Sequence, residues 1–287
     1  MEAGFEHIVE DVGVNKDIQS IPTWTLGETF KGLVVVLGLY LVLVVKILPA
    51  HMKNRQPYQL KNIMLVYNAG QVAFSVYLVF IYLRYIYRFN VITTRCPQGE
   101  DLQGVIDEIY PYFIAKHLDL LDTVFFVLRK KDNQITFLHL YHHTSMVTWT
   151  WLHFMYHPTD NFVVVGMLNS FVHVLMYAYY GISSLGPEYA KYIWWKKHLT
   201  KVQLIQFILV VSNLHFQQKL SPCPIPNFFH NFCMFVICSF FALFLNFYIN
   251  SYKSKSQKIK EKNGEMEQKE QKVESEYVVD ARLLKAR

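Results

Sequence analysis

Seven blocks of mostly apolar residues run through this chain, at about 32–49, 62–87, 110–128, 135–156, 161–185, 200–217 and 227–250. Each approaches or exceeds the roughly 20 helical residues that cross a hydrocarbon core about 30 Å thick. Only 17% of the 287 residues are charged, low for a soluble domain of this length. Seven spans also leave little room for a separate soluble domain. The expectation is an all-α integral membrane protein with seven transmembrane helices over residues 32–250. An acidic N-terminal segment, 1–31, precedes them, and a tail that alternates Lys and Glu, 251–287, follows. That tail reads as solvated and disordered.

Lys and Arg accumulate in cytoplasmic loops, so the connections give an orientation. The first, third and fifth carry Lys53, Arg55 and Lys61; Arg129, Lys130 and Lys131; and Lys191, Lys196, Lys197 and Lys201. The N-terminal segment and the even connections carry only Lys16, Lys31, Arg88, Arg95 and Lys219. The N-terminus is therefore expected in the lumen and the C-terminus in the cytosol, as an odd number of spans requires. No cleavable signal peptide is expected, because residues 1–31 lack a basic stretch followed by an apolar one. Cys96 and Cys223 fall in the second and sixth connections, on the oxidising side, and a disulfide between them is expected.

Ionisable groups inside spans are costly and tend to mark function. In the third span, Lys116, Asp119, Asp122 and Thr123 lie at offsets 0, 3, 6 and 7, along one helical face. In the fourth, His139, His142 and His143 lie at i, i+3 and i+4. The fifth carries Asn169, His173, Met176, Tyr177 and Tyr180; the sixth carries Thr200, Gln203 and Gln206. At 1.5 Å per residue, His142 lies roughly 10 Å from the cytosolic end of its span, and the aspartates and glutamines lie roughly 5–14 Å in. His173 is deeper, at roughly 18 Å. Four helices of alternating direction thus bring polar groups to the cytosolic half of the membrane, as one enclosed site would require. Taken singly, each stripe also fits interhelical hydrogen bonding, and Asp119 and Asp122 could simply neutralise Lys116.

HxxHH is also a spacing of membrane di-iron enzymes, and imidazole is a good iron ligand. Such a site needs several His-rich boxes, and HxxHH occurs once here. His153 and His157 lie roughly 16–22 Å from His142 along the same helix, too far to share a metal pair. No metal is expected. Without one, imidazole suits acyl transfer near neutral pH as a nucleophile or base.

The segments KHLDLLDTVFFVLRKK, HLYHH, HVLMYAYY and TKVQLIQ occur in this order in the third to sixth spans. Together they resemble the ELO family of very-long-chain fatty acid elongases, over roughly residues 30–250. The resemblance implies the condensing step of fatty acid elongation in the endoplasmic reticulum membrane. A long-chain acyl-CoA and malonyl-CoA would give a 3-ketoacyl-CoA two carbons longer, with CO2 and CoA released. It also implies a seven-helix fold enclosing an acyl-chain tunnel, with no cofactor besides these substrates. The chemistry would centre on His142, with His173 opposite. His139 and His143 would set the orientation of His142, and Asn169, His173 and Gln203 would stabilise the malonyl enolate. Lys116, Asp119, Asp122, Tyr177, Tyr180 and Gln206 would support the site. Arg129, Lys130, Lys131, Lys196 and Lys197 are candidates for the CoA phosphates, although positive-inside topology already accounts for some of them. The reductases and dehydratase of the elongation cycle are further expected partners; nucleic acid is not. One departure stands out: the family pattern KxxExxDT has Asp119 in place of its Glu.

Two other classes remain open at this point. A seven-span receptor or transporter would also carry intramembrane polar groups, but it would not gather them near the cytosolic end or lack broken half-helix pairs. A metal-dependent oxidase would contain iron and consume oxygen. Within the elongase reading, His142 could act as a base in a ternary complex instead of carrying the acyl group.

Overall fold

Apolar runs without strand-like alternation should fold as helices, and the computed structural model, which describes residues 29–253 and Met266, is helical with no strand among those residues. Helix α1 spans Phe30–Met52. It starts at Thr29, whose side chain accepts the Gly32 N–H at 2.9 Å. A π-helical turn at Leu43–Ile47 lies just ahead of Pro49, which cannot donate the next hydrogen bond; the widened turn accommodates its ring. Helix α2, Lys61–Phe89, stops at Asn90, which adopts φ 73° and donates its N–H to Ile86 O. Helices α5 (Phe137–Tyr156), α6 (Val163–Leu185), α7 (Lys196–Leu220) and α8 (Asn227–Tyr248) follow the last four expected spans within a few residues. Short 3-10 turns at Asp160–Phe162 and Pro187–Ile193 lead into α6 and toward α7.

The third expected span differs. Its helix begins at Gly99, eleven residues earlier than 110, and breaks into α3 (Gly99–Leu118) and α4 (Leu121–Leu128). At the break the backbone tightens: Leu120 N–H donates to His117 O and Asp122 N–H to Asp119 O, both three residues back. This extra rotation falls within the Lys116–Thr123 stripe, so the stripe does not stay on one face.

Among the described residues, five helices are long and apolar enough to cross a membrane: Phe30–Met52, Lys61–Phe89, Asp160–Leu185, Lys191–Leu220 and Asn227–Tyr252, the last three including flanking turns. The α3–α4 pair and α5 are not among them. They carry Lys116, Asp119, Asp122 and the three motif histidines, and they pack against each other through α3 and α5 inside the core of Phe113, Val147, Trp151 and Phe154. Helix α6 is central, with 56% of its apolar window buried against 17% for α1 and for α8, and it packs on α2 and α7. The outward faces bear Leu39, Val66, Phe80, Ile205 and Phe235, all more than half exposed, as suits lipid and not water.

Residues up to Phe241 form one unit and those from Ala242 a second; every site residue discussed below lies in the first. The expected N-terminal segment before residue 29, and the tail after residue 253 except for Met266, lie outside the described residues. Cys96 and Cys223 stand in the structure as thiols, not as the expected disulfide. They are nonetheless neighbours: burial, then a hydrogen bond with Cys96, pushes the Cys223 thiol up to about 12.

Candidate active site

Lys116 and Asp119 lie one turn apart at the end of α3, both buried, with Lys116 Nζ donating to Asp119 Oδ2 at 3.0 Å. Lys116 makes two further contacts. Its ammonium donates to Asn169 Oδ1 at 2.8 Å and lies 3.5 Å from His173 Nε2. An ammonium has three hydrogens and no acceptor, so all three are accounted for. His173 Nδ1 lies 3.6 Å from Asp119 Oδ2 on the other edge of the ring. His173 therefore faces an ammonium through one nitrogen and a carboxylate through the other.

The carboxylates are bridged from α6. The Tyr177 hydroxyl is 2.8 Å from Asp119 Oδ1 and 2.9 Å from Asp122 Oδ2. Helix α2 closes the cluster from the far side: Gln71 Nε2 reaches Asp119 Oδ1 at 3.0 Å, Tyr67 Oη at 3.1 Å and Tyr177 Oη at 3.2 Å. Asn68, Gln71 and Ser75, at i, i+3 and i+7, are all buried. The segment NAGQVAFS carries that periodicity in the second span, ahead of the four motif-bearing spans. Tyr180 joins through ring contacts with Tyr177, Tyr179 and Phe126.

Asn169 links this cluster to a cavity of about 50 Å³ between α3, α5, α6, α7 and α8. Its Oδ1 accepts from both Lys116 and the Tyr112 hydroxyl, at 2.8 and 2.9 Å. Lysine cannot accept, so the Oδ1 assignment is forced and the amide NH2 is directed away from these two partners. The cavity wall includes His142, Asn169, Tyr112 and Gln206 as its polar members. The remainder is apolar, with Met146, Trp149, Val165, Val210, Ile237 and Phe240. His142 keeps part of its surface open, whereas His143 is buried.

Of the three motif histidines, only His142 lines the cavity. His139 turns toward α4 and α1, its Nε2 2.8 Å from Thr123 Oγ1, which is 2.7 Å from the Tyr40 hydroxyl. His143 lies between its neighbours, its ring tilted 4.2 Å from that of His139 and edge-on 5.5 Å from that of His142. Gln206 reaches the cavity and Gln203 does not, a consequence of the 100° rotation per residue along α7. No group of three or more His, Cys, Asp or Glu is placed to hold a metal ion among the described residues.

The basic candidates lie apart from the cavity. Arg129 is half-buried with Nη1 against Met64 Sδ, and Lys130 Nζ donates to Lys53 O at 3.4 Å. Lys131, Lys196 and Lys197 are exposed, with Lys196 over the Tyr179 ring at 6.0 Å.

Comparison with known proteins bears on this arrangement. The family model described as ELO, GNS1/SUR4 family, matches residues 25–260. The chain belongs to the ELO family. It is 36% identical over 243 residues to very long chain fatty acid elongase 7 of Rattus norvegicus, covering 81% of this chain and 84% of that protein. It is 38% identical over 211 residues to very long chain fatty acid elongase 4 of Homo sapiens, covering 71% and 66%. It is 38% identical over 236 residues to very long chain fatty acid elongase 5 of Rattus norvegicus, covering 81% and 78%. This ELO protein therefore joins a polar cluster to a mostly apolar cavity through Asn169, with His142 on the cavity wall.

Proposed function

We propose that the protein is the condensing enzyme of very-long-chain fatty acid elongation in the endoplasmic reticulum membrane. It would join a long-chain acyl-CoA to malonyl-CoA and release CO2 and CoA. The observation that carries this reading is the apolar cavity that has His142, Asn169 and Gln206 on its wall. At about 50 Å³ the cavity has room for the thioester end of an acyl chain, whose carbonyl needs a nucleophile with hydrogen-bond donors beside it. In this reading residues 32–250 form seven spans, with α3 and α4 together as the third and α5 as the fourth. The N-terminus is lumenal, and the basic loops around Arg129, Lys130, Lys131, Lys196 and Lys197 meet CoA phosphates on the cytosolic side.

An imidazole nitrogen of His142 attacks the thioester carbonyl, and the carbon–sulfur bond breaks. The hydrogen lost by the imidazole leaves with the CoA thiolate. Malonyl-CoA then loses CO2, and the electron pair of that carbon–carbon bond becomes an enolate carbon, which attacks the acyl-imidazole. The imidazole leaves and takes a proton from water, so each turnover consumes one proton. Asn169, held by Lys116 and Tyr112, turns its NH2 toward the developing oxyanion, and Gln206 adds a second donor from α7. Gln203, one turn nearer the start of α7, is left to the rim. His173, Asp119, Asp122 and Tyr177 hold Lys116 and Asn169 in place.

Intact-protein mass spectrometry after incubation with one long-chain acyl-CoA alone tests this. The expected result is an added mass equal to the acyl group, absent from His142→Ala and discharged as 3-ketoacyl-CoA when malonyl-CoA is supplied. Product without any adduct would make His142 a base in a ternary complex. No product from any acyl-CoA would overturn the elongase reading.

A further inference from the structure

The Tyr40 hydroxyl is buried, and among the described residues Thr123 is its hydrogen-bond partner, at 2.7 Å. A buried phenol that gives its hydrogen to nothing is costly, so the hydrogen goes to Thr123 Oγ1. Thr123 is fully buried and has one hydroxyl hydrogen of its own. With Oγ1 receiving from Tyr40, that hydrogen points to the other neighbour, His139 Nε2 at 2.8 Å. The chain runs in one direction across three helices, from α1 through α4 to α5.

An imidazole nitrogen that accepts a hydrogen bond carries no proton, and a neutral ring then has its proton on the other nitrogen. We propose that Tyr40 is a positioning residue which, through Thr123, holds His139 as the neutral tautomer with its proton on Nδ1. The same contact occupies the Nε2 lone pair of His139. Of the three histidines, His139 is thereby withheld from acyl transfer and His142 is left to perform it, a consequence that rests on the elongase reading above. Nothing in HLYHH distinguishes these residues. The distinction comes from Tyr40, 99 positions before His139 and in a helix with no motif of its own.

The test uses full-length protein labelled with 15N-histidine in lipid nanodiscs. The His139 signals are assigned by their loss in His139→Gln. The expected spectrum shows an unprotonated Nε2 and a protonated Nδ1 in the parent, and a mixture of both tautomers in Tyr40→Phe. Turnover of acyl-CoA by Tyr40→Phe should fall about tenfold at nearly unchanged KM, the kinetic weight of one hydrogen bond. Thr123→Ser should keep both the spectrum and the rate. The double variant Tyr40→Phe with Thr123→Val should be no slower than Thr123→Val alone, because both changes break one chain. A proton on Nε2 of the parent, an unchanged spectrum in Tyr40→Phe, or losses that multiply in the double variant would each overturn the proposal. Failure of the parent to make any 3-ketoacyl product would instead overturn the elongase reading, and the tautomer spectrum would still decide the role of Tyr40.

Discussion

Lys116 is the residue on which most of the polar interior depends. It is the cation beside two buried carboxylates, and it orients the Asn169 amide through a hydrogen that no neutral residue could supply with the same strength. Lys116→Met removes that charge and leaves Asp119 and Asp122 uncompensated, which should cost about 3–5 kcal/mol and lower the melting temperature in detergent. Lys116→Arg keeps the charge, but its planar fork does not fit three partners arranged around a point, so activity should still be lost. Asn169→Leu has a different signature. It leaves the Lys116–Asp119 pair in place but takes the acceptor from one Lys116 hydrogen and from the Tyr112 hydroxyl, which should cost about 1–3 kcal/mol; in the proposed reaction it also removes one oxyanion donor, so kcat should fall by about 10²–10³. Thermal melting beside turnover separates the two cases.

At the scale of elements, two features shape the site. The first is the break between α3 and α4. The extra rotation there turns Asp119 and Asp122 toward α2 and α6, and Thr123 toward α1 and α5. Successive residues of a helix already point about 100° apart, and the tightened turn adds to the angle between Asp122 and Thr123. The second is the close approach of α2 to α6. At Gly166 an added Cβ would lie 2.7 Å from the Tyr82 ring, which makes an edge contact with Tyr112 at 6.2 Å between centroids. Gly166→Ala should therefore overpack the junction, costing about 1–3 kcal/mol in thermal or denaturant unfolding. The displaced Tyr82 presses on Tyr112, one of the two donors that orient Asn169, so turnover should fall as well. Tyr82→Leu in the same background should restore stability by opening room for the new methyl group.

For the whole molecule, the expected topology makes Lys197 cytosolic and Cys96 lumenal. A Lys197→Cys variant on a cysteine-depleted background should react with an impermeant maleimide only from the cytosolic side of sealed microsomes. The thiol pair on the opposite side gives a second expectation. Cys96 and Cys223 are adjacent, so protein taken from an oxidising lumen should carry them as a disulfide, seen as a mobility shift on non-reducing gels and lost in Cys223→Ser. In the reduced protein, burial and the Cys96 hydrogen bond push the Cys223 thiol up to about 12. Only the thiolate reacts, so its alkylation should keep rising with pH well past the usual thiol range of about 8.5. How much of this was legible in the sequence divides along physical lines. Apolar runs of sufficient length are a local property, so residues alone placed the helices to within a few positions, apart from the early start and the break in the third. Helical periodicity likewise picked out Lys116, Asp119, His142, Asn169 and Tyr177, because costly polar groups within apolar helices are conspicuous wherever they occur. Which of them meet was decided by packing alone. Phase at the α3–α4 break, the rotation of α7 and the pairing of α2 with α6 determine that Gln206 reaches the cavity and Gln203 does not. They also bring Gln71 into the carboxylate cluster and Tyr40 to Thr123. Contacts between residues far apart in the chain depend on helix positions and rotations that no single stretch of sequence encodes.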